Sequence, residues 1–244
     1  MATAPDTSSD LPIYLDCAAT TPLDPRVLET VYHYLAYDYG NAGSHTHIYG
    51  NRASKAVENA RESIAALADA RPDEVYFTSG ATEANNLAIL GLADAAREAD
   101  KTHIVTTAIE HKAVLEPLER LASQGFSVTY VQPTEGGWVR AKDVLEAVGD
   151  ETFLVSVMHV NNETGIIQPL AAIAEGLADH PAYLHSDASQ GFGKEKEELT
   201  PRIDLLSISA HKLYGPKGVG ALIARRRRFN RPPIIPLQVG GGQE

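Results

Sequence analysis

The sequence has a single cysteine, Cys17, so no disulfide can form within the chain. Unpaired cysteine is typical of proteins in reducing compartments, and a cytoplasmic location is therefore expected. The sequence also lacks any uninterrupted apolar run of the ~20 residues that a membrane-spanning helix requires. These two absences argue against a disulfide-stabilised secreted domain and against an integral membrane protein.

Positive charge is also scarce. Lys and Arg total 21 against 32 Asp and Glu, which gives a formal net charge of -11. Proteins that bind nucleic acid owe much of their affinity to cationic side chains, so no nucleic-acid partner is expected. The exception is the basic run Arg225–Arg228, with Arg231 shortly after it. Isolated runs of this kind more often form solvated faces or strand ends than binding sites.

The chain has 244 residues, of which 43% are hydrophobic, and this is enough for one large domain with a substantial core. Residues 1–12 are polar and are expected to form a tail, with the domain over residues 13–244. Short runs rich in β-branched and aromatic residues alternate with amphipathic stretches. The predicted strands are Glu74–Thr78, His103–Thr107, Ser127–Val131, Phe153–Met158, Ala182–Ser186, Leu205–Ser209 and Val219–Ala224. The predicted helices are Asn51–Ala70, Ala81–Ala96, Lys112–Gln124, Ala141–Val148 and Leu170–Ala178.

This alternation predicts an α/β fold with a mostly parallel sheet covered by helices on both faces. Ligands of such sheets bind beyond the carboxyl ends of the strands, so the residues just after each strand are the candidates for function. After the first strand, the segment 77–83 runs through a glycine turn into a helix. Its free N–H groups can form an anion cup, defined here as Ser79–Thr82. Ordinary helix capping by Thr78 or Ser79 would explain the same residues.

Three further strand ends carry polar residues with possible chemical roles. His111 can stack on a flat ring and exchange protons near neutral pH, although on its own this segment favours an ordinary loop histidine. Asn161 and Asn162 can donate hydrogen bonds to a ligand or simply shape a turn. Asp187 follows a buried strand, where a charged carboxylate requires a partner such as a protonated ring nitrogen.

The last strand end gives the most informative candidate, Lys212. An apolar strand delivers this lysine into a loop rich in Gly and Pro. A partly buried lysine can lose its proton and attack a carbonyl carbon. Lys217, further along the same loop, is interpreted as a surface residue, and no metal site is predicted.

Taken together, these segments resemble the class V aminotransferase family, and within it the NifS-like cysteine desulfurases. The resemblance runs from about Ile13 to the last residue. It rests on six segments in order, namely 14–22 (YLDCAATTP), 79–83 (SGATE), 110–112 (EHK), 159–163 (HVNNE), 186–190 (SDASQ) and 209–212 (SAHK). The resemblance implies the large domain of a type I transferase that depends on pyridoxal 5'-phosphate (PLP).

The resemblance also implies roles for individual residues. Lys212 would bind the cofactor covalently and move protons at the substrate α-carbon, and His111 would stack on the ring and assist proton transfer. Asp187 would pair with the ring nitrogen and Gln190 with the phenolic oxygen. The residues implied for the phosphate are Ala81, Thr82, Ser209 and His211. Asn162 would lie near the substrate carboxylate and the ring.

In the family, L-cysteine is converted to L-alanine, and a cysteine thiolate receives the sulfur as a persulfide. The implied partners are L-cysteine, a second copy in a homodimer, and a sulfur acceptor or iron–sulfur scaffold protein. By the same resemblance, the catalytic cysteine loop and the small C-terminal domain belong beyond Glu244, so this chain is expected to be a fragment, half of a split enzyme or a degenerate product. Cys17 is expected to be a small packing residue. Two alternatives stay open: another class V enzyme (selenocysteine lyase, kynureninase-like or aminotransferase), or a catalytically silent PLP-binding or partner-binding module.

Overall fold

The structure, a computed structural model, describes residues 12–227 and 229–240. Most of the tail predicted at residues 1–12 lies outside these ranges. The α-helices are α1 (Pro25–Ala36), α2 (Ile48–Ala68), α3 (Ala81–Leu90), α4 (Ala93–Glu98), α5 (Lys112–Ala122), α6 (Ala141–Glu146) and α7 (Leu170–Gly176). The strands are β1 (Val75–Thr78), β2 (His103–Thr107), β3 (Ser127–Val131), β4 (Thr152–Ser156), β5 (Tyr183–Asp187), β6 (Leu205–Ser209) and β7 (Gly220–Ala224).

The seven strands form one sheet in the order β1-β7-β6-β5-β4-β2-β3. From β3 to β6 all neighbours are parallel, whereas β7 pairs antiparallel with both β6 and β1. This confirms the prediction of a mostly parallel α/β sheet. The carboxyl ends of β2, β4, β5 and β6 therefore meet at one edge of the sheet, which is where ligands of such folds bind.

Both faces of the sheet are covered by helices. Successive residues of a strand point to opposite faces, and the core divides accordingly: Val155 packs in one cluster and its neighbour Leu154 in the other. Helices α2 and α7 supply buried residues to the cluster of Val155. Helices α3 and α5 supply the cluster of Leu154. The predicted sandwich of a sheet between helices is thus confirmed.

Two helices differ from the prediction. The single helix predicted over Ala81–Ala96 is divided into α3 and α4, and at the break the Gly91 carbonyl accepts a hydrogen bond from the Ile235 N–H (2.9 Å). Helix α1 was not predicted. Its start carries the usual signals, since Asp24 caps it by accepting from the Arg26 N–H (2.8 Å) and Pro25 opens the first turn. None of its residues is fully buried, and only Val27 and Val31 are partly buried, so α1 draws little stabilisation from the core of the described part of the chain.

The basic run forms the end of the sheet. Arg225 is buried and donates to the Ile203 carbonyl (2.6 Å) and to the Ala68 carbonyl. Arg227 donates to Asp204 (2.6 Å) and stacks over the ring of Tyr183, 4.7 Å from its centroid. Arg226 and Arg231 both contact Asp73. These arginines therefore follow the end of β7 and bind carbonyls and carboxylates of this protein, as the strand-end interpretation predicts. Arg228 lies outside the described residues.

One prediction about the N-terminal segment is wrong. Cys17 is exposed and so is not a packing residue. It sits in a turn over residues 17–19, in a segment whose residues are almost all exposed, which leaves a small apolar side chain no core to join. In the described ranges, no helix has the length and apolar content needed to cross a membrane.

Candidate active site

The carboxyl ends of the parallel strands surround one cavity of about 820 Å³, called here the strand-end cavity. Every residue to which the family resemblance assigned a role lies in its lining. These residues are Ala81, Thr82, His111, Asn162, Asp187, Gln190, Ser209, His211 and Lys212. Five separate segments, from α3 to the loop after β6, thus bring their polar groups to one place. Asn161 does not line the cavity and instead shapes a turn by accepting from the N–H groups of Glu163 and Thr164.

The anion cup lies at the start of α3. Gly80 is the N-cap residue, with φ +152°, a value that suits glycine because it has no Cβ. Capping by Thr78 or Ser79 is therefore wrong: the Thr78 hydroxyl donates to the Gly80 carbonyl (2.9 Å), and the Ser79 N–H donates to Glu83 (2.6 Å). The N–H groups of Ala81 and Thr82, in the first turn of α3, have no acceptor within the helix. They can bind an anion that enters the cavity.

Ser209 and His211 lie beside the cup, at the end of β6 and just after it. Ser209 is buried, and its hydroxyl has no hydrogen-bond partner within residues 12–227 and 229–240. The His211 ring contacts the Thr20 hydroxyl (3.1 Å), and the His211 carbonyl accepts from the Thr21 N–H (2.8 Å). Burial lowers the pKa of His211, and the positive charges of Lys212 and Lys217 lower it further. A neutral imidazole at this position can donate to or accept from a ligand.

Lys212 ends the short 3-10 turn Ala210–Lys212 that directly follows β6. It is half-buried and lines the cavity. Burial lowers the pKa of Lys212, opposed by the charge of Asp187 and assisted by that of Lys194. A lowered pKa increases the neutral fraction of an amine, which is the form that attacks a carbonyl carbon.

Asp187 is the last residue of β5 and is buried, with 6% of its surface exposed. One carboxylate oxygen accepts from the Asn85 amide (2.7 Å), and the other accepts from the Ser189 N–H (3.0 Å) and hydroxyl. A carboxylate oxygen has room for a further hydrogen bond. Asp187 is thus an anchored acceptor in the wall of the cavity.

The remaining predicted residues lie nearer solvent. His111 is the N-cap of α5, and its Nδ1 accepts from the Ala113 N–H (3.1 Å). The Asn162 amide donates to Glu163 (2.7 Å). The Gln190 amide donates to the Ala18 carbonyl (2.8 Å), which ties the N-terminal segment to the rim of the cavity.

Comparison with known proteins identifies the family. The sequence model described as "Aminotransferase class-V" matches residues 13–244. The chain belongs to the class V aminotransferase family. A mouse protein named cysteine desulfurase is 49% identical over 234 residues, which is 96% of this chain and 50% of that protein. The chain spans about half the length of the curated relatives it matches.

Solved structures agree with this assignment. DndA from Streptomyces lividans superposes with a TM-score of 0.86 at 53% identity, covering 95% of this chain and 65% of that one. SspA, solved in complex with cysteine, has a TM-score of 0.87 at 43% identity, covering 94% of this chain and 65% of that one.

Enzymes of the class V aminotransferase family depend on PLP, and the residues of this chain fit that group. The phosphate requires several donors, which the N–H groups of the anion cup and the unpartnered hydroxyl of Ser209 supply. The ring nitrogen requires an acid, and Asp187 lies in the same cavity as the amine of Lys212. The cavity volume of about 820 Å³ falls within the range of small-molecule sites. Among the described residues, no cluster of three or more His, Cys, Asp or Glu is arranged to hold a metal.

Sequence reasoning missed two residues of this class V site, Asn85 and Ser189, and one residue beside it, Glu110. Asn85 and Ser189 hold Asp187, and both line the cavity. Glu110, next to His111, is buried and accepts from the Thr107 hydroxyl (2.7 Å) and from the Met158 N–H (2.8 Å). For Asn85 a signal existed: it is an amide on the buried face of a helix, beside Ala84, Ala88 and Ile89. A buried amide needs a polar partner.

Proposed function

We propose that this chain is the cofactor-binding part of a PLP-dependent cysteine desulfurase. The observation that carries the proposal is the single cavity that holds Lys212, with its lowered pKa, together with Asp187, His111 and the anion cup. The names of the relatives support the reaction, since the curated proteins matched at 47–49% identity are cysteine desulfurases. The bound cysteine of the SspA structure supports L-cysteine as the substrate.

In this proposal each residue of the cavity has a defined task. When bound, PLP supplies an electron sink that stabilises negative charge at the substrate α-carbon. Lys212 would attach the cofactor through its Nζ and would move a proton at the α-carbon. Asp187 would pair with the ring nitrogen, and His111 would stack on the ring. The N–H groups of the anion cup, with Ser209 and His211, hold the phosphate, which leaves Gln190 and Asn162 for the phenolic oxygen and the substrate carboxylate.

The later steps involve groups outside this sequence. The thiolate that receives sulfur from L-cysteine is proposed to lie in the part of the relatives that this chain does not span. A homodimer and a sulfur acceptor, such as an iron–sulfur scaffold protein, are proposed partners because the family resemblance implies them. The cytoplasmic location remains a prediction from the single cysteine.

The first experiment tests the cofactor site. The purified chain is mixed with PLP, its visible absorption spectrum is recorded, and the complex is reduced with borohydride for peptide mapping by mass spectrometry. We expect a visible band and a label on Lys212. Lys212→Ala and Lys212→Arg should both lose the band and the label, since neither side chain can replace the amine as a nucleophile at neutral pH.

Lys142→Ala serves as the control, because Lys142 is exposed on α6 and pairs with Glu146 on the same helix. This variant should bind PLP as the wild type does. No band in the wild-type protein, or a label on another lysine, would contradict the proposed cofactor site.

The second experiment tests the substrate. L-Cysteine is added to the PLP-loaded chain and compared with L-alanine, L-selenocysteine and kynurenine by the change in the visible spectrum. The longer protein that contains this sequence is assayed in parallel for sulfide or persulfide formation. A spectral response to kynurenine and none to L-cysteine would show that the substrate assignment is wrong even if PLP binds through Lys212.

A further inference from the structure

Asn85 is a buried polar residue of the strand-end cavity to which neither the sequence motifs nor the proposed function assigns a role. Its side chain has no exposed surface, and it lies on α3 one turn after Ala81 of the anion cup. Residues four apart on a helix share a face, and both Ala81 and Asn85 line the cavity. One rigid helix therefore carries both an anion-binding end and a buried amide into the same space.

The contacts of Asp187 show what the amide does. Asn85 Nδ2 donates to Asp187 Oδ2 (2.7 Å), while the N–H of Ser189 (3.0 Å) and its hydroxyl donate to Asp187 Oδ1. The two anchors belong to different parts of the fold, because Ser189 follows β5 and Asn85 lies on α3. Ser189 alone would leave the carboxylate free to rotate about one fixed oxygen. With Asn85 in place, both oxygens are held.

The orientation of the Asn85 amide is itself fixed. Its Oδ1 is buried and has no hydrogen-bond partner in the described part of the chain. Rotation of the amide by half a turn would place this oxygen against Asp187 Oδ2, so that two acceptors would meet without a proton between them. The donor of Asn85 therefore stays on Asp187, and the unpartnered oxygen is left to the interior beside the cavity.

We propose that Asn85 is the positioning residue for Asp187. Asn85 holds the Asp187 carboxylate so that it faces the nitrogen of the cofactor ring, at a set distance from the phosphate-binding end of α3. The inference rests on the proposed function, since it assigns Asn85 a task toward bound PLP. Asn85 acts through Asp187 in this proposal, and its loss is expected to change how the ring nitrogen is held.

The test compares Asn85→Ala and Asn85→Asp with matched changes at the next residue, Asn86→Ala and Asn86→Asp. Asn86 is not buried, and its amide donates to the Thr82 carbonyl within the same helix (2.9 Å). PLP dissociation constants are measured by absorbance titration of the chain. The pH midpoint of the visible band is then measured on PLP-saturated protein, so that only the loaded fraction contributes.

We expect Asn85→Ala to raise the PLP dissociation constant about 3- to 10-fold, the usual range for one lost hydrogen bond. Asn85→Asp should raise it about 10-fold or more, because two carboxyls in contact compete with the ring nitrogen for one proton. Both variants should move the pH midpoint of the band by about 0.5 unit or more. Both Asn86 variants should stay within about twofold of the wild type.

A double-variant cycle separates positioning from a general loss of stability. If Asn85 acts through Asp187, then Asn85→Ala should have little further effect on PLP binding in an Asp187→Ala background. Thermal unfolding of each protein without PLP shows which variants are destabilised. The pH midpoint of the loaded fraction does not depend on how much protein is folded, so it reports on positioning even for a destabilised variant.

The outcomes distinguish this inference from the proposed function. If the wild type binds PLP and the Asn85 variants match the Asn86 variants, the inference is wrong and the proposed function stands. The inference is also wrong if the effect of Asn85→Ala is undiminished in the Asp187→Ala background. If the wild type binds no PLP, the proposed function fails, and the role of Asn85 toward the cofactor fails with it.

Discussion

At the scale of single residues, Glu110 stands out because a carboxyl is fully buried next to His111. Burial raises the pKa of Glu110 to about 8, and the charge of Asp187 adds to the rise, against the hydrogen bonds from Thr107 and Met158 that lower it. The second oxygen of the Glu110 carboxyl has no partner among the residues described. Near neutral pH the folded protein therefore holds this carboxyl largely in its protonated form.

This raised pKa makes stability depend on pH. The folded state binds the Glu110 proton more tightly than the unfolded state, whose pKa is near 4.5. The stabilisation is therefore fully present below pH about 4.5 and is lost as the pH rises through about 8. Glu110→Gln keeps an acceptor for Thr107 and Met158 but cannot ionise.

We expect Glu110→Gln to change the free energy of unfolding little at pH 5 and to be the more stable protein at pH 9, by on the order of a few kcal/mol. Urea unfolding of both proteins at several pH values measures the difference. A difference that stays constant between these pH values would mean that Glu110 titrates normally in the folded protein.

At the scale of secondary-structure elements, Asp204 joins β5, β6 and the end of β7. It is 3% exposed and pairs with Arg202 (2.7 Å) and Arg227 (2.6 Å), and it accepts from the N–H of Leu184 in β5 (2.6 Å). Removing one partner of a buried pair leaves the other charges without compensation, which costs more than the pair itself contributes. The stability of this end of the sheet therefore depends on one carboxylate.

We expect Asp204→Ala to lower the free energy of unfolding by about 3 kcal/mol. The matched control is Asp73→Ala, since Asp73 also pairs with two arginines, Arg226 and Arg231, but is half exposed. Exposed pairs contribute about 0–1 kcal/mol, so the control should lose no more than that. Urea unfolding of the three proteins tests the contrast, and equal losses in the two variants would contradict it.

The same scale shows what the sequence could predict. All seven strands were found, because each is a short run of strand-forming residues between turn formers or polar residues. Strands β2, β4, β5, β6 and β7 are buried along most of their length, as expected for a sheet covered by helices on both faces. Helix α1 was missed although its start carries the usual capping signals, Asp24 as the cap and Pro25 in the first turn. The division between α3 and α4 was missed because it depends on Ile235, far along the chain.

The site divides in a similar way. Asp187 and Lys212 could be predicted because Asp187 ends β5 and Lys212 comes shortly after β6, at the carboxyl edge of the parallel strands where side chains converge. Asn85 was missed because its partner Asp187 lies 102 positions away, which local sequence cannot show. Ser189 and Glu110 each have a partner close in sequence, two and three positions away, and were missed because no role toward a ligand marked them. The sequence alone was enough to locate the groups that face a ligand. The groups that position them could be identified only from the folded structure.

At the scale of the whole molecule, apolar surface is concentrated around α1. Leu28, Tyr32 and Leu35 are 55%, 60% and 76% exposed, and Tyr37 and Tyr39 extend the same region. This group of five residues is called here the α1 surface. Contiguous apolar surface of this kind is rare on isolated soluble proteins and marks contact regions.

Because the α1 surface is exposed, we expect substitutions on it to cost much less stability than substitutions in the core. The double variant Leu28→Ser/Leu35→Ser should bind less of the fluorescent dye ANS than the wild type and keep its free energy of unfolding within about 0.5 kcal/mol, because the changed side chains are already in water. Leu118→Ser on α5 is the matched control, since Leu118 has no exposed surface. It should cost about 3 kcal/mol or more through the cavity and the buried hydroxyl. A loss of stability in the double variant as large as that of Leu118→Ser would mean that α1 is packed in solution, with its apolar residues already covered by another part of the protein or by a second copy.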